Sequence, residues 1–192
     1  MPPQFYENGA FVKHPLEEKF NASGWDILSA IEKGFRAQVD VKGKLAEYFL
    51  YRHLVELQER GVIDNVEWRD KDGIPDFRIE VKGVALEMEC KNVRSGKEKF
   101  RDAYKVEIQK TRSQIAGGPV RGYRIDEFHV LAACLFNQTG RWEYLFTATV
   151  NLARRPEWAD YLMIMQRVPY SAGGHWKATI EEFLQSILEK QQ

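Results

Sequence analysis

Apolar residues recur along this chain with two different periods, and the switch between them divides it into helical and extended stretches. Trp25, Leu28, Ile31 and Phe35 fall at helical intervals in "WDILSAIEKGF" and predict a short amphipathic helix. The same period in "DVKGKLAEYFLYRHLVELQERG" predicts a longer helix over Val41 to Arg60, with Gly61 as its C-terminal cap. Alternation then takes over. "VIDNVEWR" reads as one strand, and Gly73 to Lys91 as two more. "EKFRDAYKVEIQKTRSQIAGG" is expected to be helical in part, ending at Gly117-Gly118. "FHVLAACLF" and "WEYLFTATV", parted by "NQTGR", read as strand, turn and strand, and "LMIMQRV" offers a further strand. "TIEEFLQSILEK" closes the chain as a helix with Thr179 and Glu182 as a capping box. This order predicts an α/β fold with a mixed central β-sheet of about five or six strands flanked by α-helices.

The length of 192 residues and 44% hydrophobic content fit a single domain over 1–192. Within it, 1–24 reads as an irregular arm, 41–112 as the chemical core and 125–192 as completion of the sheet with a closing helix. With no apolar run of about 18 residues and no basic-then-apolar leader, the expectation is a soluble cytoplasmic protein without membrane contact. Cys90 and Cys134 sit inside apolar strand-like runs, which suits buried thiols better than a disulfide or zinc site.

The formal charge is zero, but it is unevenly spread. Between Lys91 and Arg124, ten basic residues face three acidic ones, a local excess of +7. Such a segment can hold phosphates, although a solvated helix face carries similar runs.

The densest chemistry lies in "GIPDFRIEVKGVALEMECKNV", Gly73 to Val93. Asp76, Arg78, Glu80 and Lys82 alternate with Phe77, Ile79 and Val81, and Glu87, Glu89 and Lys91 alternate with Leu86, Met88 and Cys90. Each strand therefore has one apolar and one charged face. A two-residue turn at Lys82-Gly83 pairs Val81 with Val84 and sets Asp76 opposite Glu89, even though lysine is not a favoured turn residue. Like charges so opposed are destabilising, and a divalent cation resolves the conflict, because Mg²⁺ is commonly held by one or two carboxylates. Lys91 projects on the same face, beside any attacking water. Alternation alone favours a solvated hairpin face, on which Arg78 or Lys82 pairs with the acids. Glu47 shares the apolar stripe of Leu50, Leu54 and Leu57, so it needs a partner, which a metal, Lys91 or a nearby arginine would supply.

Taken together, these segments resemble the PD-(D/E)XK phosphodiesterases, the restriction-endonuclease-like superfamily, over about Gly43 to Arg112. Pro75-Asp76 match its first element, Glu89-Cys90-Lys91 its second, and Glu47 the acid of the preceding helix. The resemblance implies a restriction-endonuclease-like sheet, with Asp76, Glu89 and the Cys90 backbone carbonyl as metal ligands and Glu47 in support. It also implies that Lys91 positions the water, with Gln109 at a polar helix position beside it. Mg²⁺, or Mn²⁺ in its place, is the implied cofactor. The implied activity is metal-dependent DNA endonuclease cleavage through a metal-activated water, most simply of restriction type. A repair or recombination nuclease on branched DNA is the alternative, and a non-catalytic nucleic-acid-binding module of the same fold another.

DNA contact is expected from Arg94, Lys97, Lys99, Arg101, Lys105, Lys110 and Arg112, which interleave with Phe100 and Tyr104. A mobile, solvated loop explains the same strip. Double-strand cutting needs two sites, hence a homodimer or repeated binding. His53 and His129 read as packed core histidines, and the alternating Trp142, Tyr144 and Phe146 as a sheet face under a helix.

Overall fold

The structure, a computed structural model, describes residues 6–7, 10–11, 13–96, 100–110 and 122–189. The elements in chain order are strands β1 (Tyr6–Glu7) and β2 (Ala10–Phe11), and helices α1 (Pro15–Phe20), α2 (Gly24–Lys33) and α3 (Phe35–Glu59). Strands β3 (Asn65–Trp68), β4 (Phe77–Val81), β5 (Val84–Asn92), β6 (Tyr104–Glu107) and β7 (Val130–Cys134) follow, then the single turn of α4 (Phe136–Thr139). The chain continues through β8 (Tyr144–Ala148), β9 (Arg154–Arg155), β10 (Trp158–Leu162), β11 (Met165–Val168) and α5 (Ile180–Leu188).

The chain divides into two compact units, 1–44 and 45–192. The first contains a short hairpin, with Tyr6 paired to Phe11, and helices capped by His14 and Ser23. The stretch expected to be an irregular arm is therefore partly ordered, because the His14 ring accepts the Leu16 N–H and the Glu17 carboxylate accepts the His14 N–H at the start of α1. Phe35 does not extend α2, since Gly34 adopts an extended conformation and ends that helix.

In the second unit, five strands form the central sheet in the order β3-β4-β5-β7-β8. All neighbours are antiparallel except β5 and β7, which run parallel. β7 is buried along its whole length, as the apolar run "VLAAC" requires of a strand covered on both faces. One face carries a core of Leu50, Leu54 and Leu57 from α3 and Ile180, Phe183 and Leu184 from α5, packed with Phe77, Ile79, Met88, Cys90 and Phe146. The other packs Leu131, Ala133 and Leu145 with Val106, Ile108, Tyr123, Phe128 and Val168. Among the described residues no helix is long and apolar enough to cross a membrane.

Two sequence expectations are corrected by the structure. Tyr104–Glu107 is a strand, paired antiparallel with β11 in a ribbon separate from the central sheet. The helix read there fails because Val106 alternates into the core and is fully buried, a period of two; residues 97–99 and 111–121 lie outside the described ones. The strand, turn and strand expected around "NQTGR" are present, since β7 and β8 pair antiparallel across it; the turn is the one-turn helix α4, ended by Gly140, whose φ of +72° is the left-handed conformation glycine tolerates. At the start of α5, Thr179 accepts from Glu182 N–H as expected, while the Glu182 carboxylate reaches Ala178 N–H rather than Thr179.

Candidate active site

The β4–β5 hairpin has the register that the sequence predicts. Val81 pairs with Val84 and Phe77 with Met88. The turn residues Lys82 and Gly83 have φ of +50° and +76°. Two consecutive positive values fit the right-handed twist of paired strands, and only Gly83 adopts one without strain. Gly83 N–H also donates to Asp64 at 3.2 Å, which helps hold the turn despite its lysine.

That register puts Met88 and Cys90 into the core beneath α3 and turns Glu87, Glu89 and Lys91 to the opposite face. Asp76 immediately precedes β4, and its Oδ2 accepts the Cys90 N–H at 2.8 Å, bridging the gap where β4 has not yet begun. The Lys91 ammonium lies 2.5 Å from Glu89 Oε1 and 3.6 Å from Asp76 Oδ2. The two carboxylates therefore meet on one cation and on one face. Tyr123 donates its hydroxyl to the same Glu89 oxygen at 2.6 Å. Glu89 Oε2 is buried with no hydrogen-bond partner among the described residues.

Exposure grades across the set. The Glu89 side chain is 2% exposed, Asp76 17% and Lys91 28%, so the site is closed at its floor and open at its rim. Burial pushes the Glu89 carboxyl above its usual range, with Asp76 adding to the shift and Lys91 opposing it. Burial disfavours the Lys91 ammonium, but Glu89 and Asp76 outweigh that and hold it charged beyond the ordinary lysine range. Burial and Glu89 likewise keep the Tyr123 phenol protonated.

This donor set suits a small hard cation. Asp76 and Glu89 offer carboxylate oxygens, and a buried oxygen without a donor is costly unless something positive occupies its lone pairs. In an extended strand the N–H and C=O of one residue share an edge, so the Cys90 carbonyl faces the side on which Asp76 takes its N–H. No cluster of three or more acidic, histidine or cysteine side chains converges among the described residues.

The remaining predicted residues are placed differently. Glu47 lies on the α3 stripe, against the sheet face opposite Glu89, and its carboxylate accepts the Trp68 indole N–H at 3.0 Å. It still lies near the hairpin, since both Asp76 and Glu47 raise the buried Cys90 thiol after burial itself. Gln109 is not on a helix. It follows β6 and donates to Glu107, which also binds Arg94 at 2.7 Å. Lys110 is buried, ion-paired with Glu127 and 5.4 Å from the centre of the Tyr123 ring, so it belongs to the wall of the site. Arg101 is exposed, and Lys105 lies 5.0 Å from the Phe100 ring. Lys97, Lys99 and Arg112 fall outside the described residues.

His53 and His129 are not core residues: His53 is 41% exposed beside Glu181, and His129 is exposed and accepts Glu87 N–H at 2.9 Å. Both sit at positions where the apolar period of their runs turns outward. Trp142 stacks on Phe136 at 3.8 Å, and Tyr144 donates to the Ala46 carbonyl at 2.6 Å, so the aromatic run is packing rather than an open platform.

Sequence reasoning missed two residues. Tyr123 stands in "RGYRIDEF", where no period links it to the hairpin. Arg167 does carry a signal, the alternation of β11, in which Gln166 and Val168 are buried and Arg167 is exposed. It lies directly opposite Lys105, and its guanidinium is 4.5 Å from the Phe100 ring.

No family model and no curated protein matches the sequence. Among solved structures the chain is similar to a bacterial homing endonuclease, I-Ssp6803I. The TM-score is 0.50 and the identity 13%, with 80% of this chain and 98% of that one covered. At that identity the likeness is one of fold, which in this chain is a five-stranded mixed sheet with helices.

Proposed function

We propose that this chain is a metal-dependent DNA endonuclease of the PD-(D/E)XK type. The observation that carries the reading is the meeting of Asp76 and Glu89 on Lys91, with Glu89 Oε2 buried and without a hydrogen-bond partner among the described residues. Asp76 and Glu89, with the Cys90 carbonyl, would hold Mg²⁺ or Mn²⁺. Such an ion, when bound, lowers the pKa of water and offsets charge on phosphate oxygens. The chain's own contribution is positional and electrostatic. Asp76 is fixed to β5 through Cys90 N–H, and Glu89 is fixed by Lys91 and Tyr123. The Lys91 ammonium, charged and partly open to solvent, orients the attacking water and stabilises charge developing on a phosphate oxygen. Water oxygen bonds to phosphorus as the opposite P–O bond breaks.

DNA as the substrate is supported by the fold shared with a homing endonuclease and by the β6–β11 ribbon. Lys105 and Arg167 oppose each other on its exposed face, with the Phe100 ring beside both. Opposed like charges are unfavourable on a bare ribbon. Asp102 answers Arg167 in part, and a phosphate backbone would answer the rest. The ribbon joins the end of β5 through the Val93–Val106 bridge, two residues from Lys91, and a two-stranded ribbon fits the major groove. Cleavage of restriction type, by two copies acting on two strands, is the role we propose.

The test is cleavage of supercoiled plasmid and of cruciform DNA by wild type, Asp76→Ala and Lys91→Ala, each in Mg²⁺ or EDTA. Expected is Mg²⁺-dependent plasmid cutting that both substitutions abolish. Cutting that persists in EDTA, or survives both substitutions, overturns the mechanism. Cutting confined to the cruciform replaces restriction with a branched-DNA role.

A further inference from the structure

Tyr123 reaches the site from neither the hairpin nor α3, and its surroundings constrain it closely. Its hydroxyl and the Lys91 ammonium bind the same oxygen, Glu89 Oε1, at 2.6 and 2.5 Å. Two donors on one oxygen fix the rotation of the carboxylate, so the direction of the unpartnered Oε2 is fixed as well.

The ring that carries this hydroxyl is clamped in turn. Phe128 meets it edge-on with centroids 5.4 Å apart, and the Lys110 ammonium lies 5.4 Å from its centre. Lys110 is tied to Glu127, whose other oxygen accepts Arg124 N–H at 2.7 Å. The Tyr123 carbonyl accepts Leu162 N–H at 2.9 Å, which anchors the backbone. A phenol needed only to satisfy a buried carboxylate would be free to serve either oxygen. This one is held to Oε1.

We infer that Tyr123 is a positioning residue, which holds Glu89 Oε1 so that Oε2 is presented to a divalent cation. The inference rests on the metal-site reading above. Outer partners of metal-binding carboxylates commonly set affinity by 10–100-fold when removed. Tyr123→Phe keeps the ring and its clamp and deletes only the hydroxyl, so the carboxylate regains its rotation.

The experiment is calorimetric titration of Mn²⁺ into the full chain without DNA, for wild type, Tyr123→Phe and Tyr104→Phe. Tyr104 packs against Tyr170 in the ribbon and is the matched loss of a phenol away from the carboxylates. Expected is a Kd weakened about 10–100-fold in Tyr123→Phe and unchanged in Tyr104→Phe. An unchanged Kd in folded Tyr123→Phe, with wild type binding normally, overturns this inference and leaves the nuclease reading standing. Absence of Mn²⁺ binding by wild type overturns both. Should Tyr123→Phe fail to fold, Lys110→Met loosens the clamp without touching Glu89; it is expected to weaken Mn²⁺ binding by a smaller factor, and wild-type affinity there overturns the inference.

Discussion

Met88 and Cys90 point from β5 into the core beneath α3, whereas Glu89 and Lys91, their chain neighbours, point to the other side of the same sheet. The first pair is replaceable by anything apolar of similar volume, since it contributes burial and packing. The second pair is buried nearly as deeply at Glu89 and contributes neither. It holds a charged group where water cannot reach one of its oxygens. A buried ion pair is weak evidence for stability, because desolvation offsets much of its attraction. If the charged face serves chemistry as proposed, substitutions on the two faces of this one strand should separate stability from activity.

The largest separation is expected from Lys91→Ala. Cleavage should fall by about 10²–10³-fold, the usual loss when one preorganised charge is removed from a transition state. Single-turnover kinetics on protein shown to be folded by circular dichroism would measure it. A variant as active as wild type would reduce Lys91 to a structural counter-ion.

On the opposite face, Met88→Ala should cost ~2–5 kcal/mol of stability by opening a cavity in a site that is fully buried. Urea unfolding reads the loss, and the cleavage rate per folded molecule should stay near wild type. A large rate loss at full folding would mean that the two faces are not separable.

The pH dependence sharpens the comparison further. Glu89 holds its proton above the ordinary carboxylate value of 4.5, with Lys91, Asp76 and Tyr123 as the groups around it. As pH rises past that value the unfolded chain releases this proton first, so the folded state binds more protons and loses stability with rising pH. In EDTA, Glu89→Gln should therefore gain melting temperature relative to wild type as pH climbs from 4.5 through the folded pKa. A difference that stays flat across that window would show that Glu89 is not perturbed.

The smallest effect is expected at the ribbon. Lys105→Ala and Arg167→Ala should each lower the salt dependence of DNA binding by about one phosphate contact, without changing the rate of the chemical step. Binding isotherms at several salt concentrations test this, and unchanged slopes would remove the ribbon from the interface.

Much of the hairpin was legible because its information is local. Alternation fixes which residues share a face, and a two-residue turn fixes the register, so Asp76, Glu89 and Lys91 could be brought together from sequence alone. The α3 stripe was legible for the same reason, down to the burial of Glu47. What it could not reveal is which sheet face α3 covers, and that choice separates Glu47 from Glu89. Tyr123 is 34 residues from its partner, and only tertiary folding joins them. The segment 104–107 misled because a four-residue strand between charged stretches carries too few apolar positions for its period to outweigh helix-forming neighbours.

The most direct test of the claim that the charged face of β5 is a cation-dependent hydrolytic site is anomalous diffraction from crystals of the full chain soaked in Mn²⁺. A cation-dependent site there requires a peak bounded by Asp76, Glu89 and the Cys90 carbonyl, on the face that carries Lys91. A well-occupied Mn²⁺ elsewhere with none at that position, or Asp76 and Glu89 directed to opposite faces of the sheet, would contradict it.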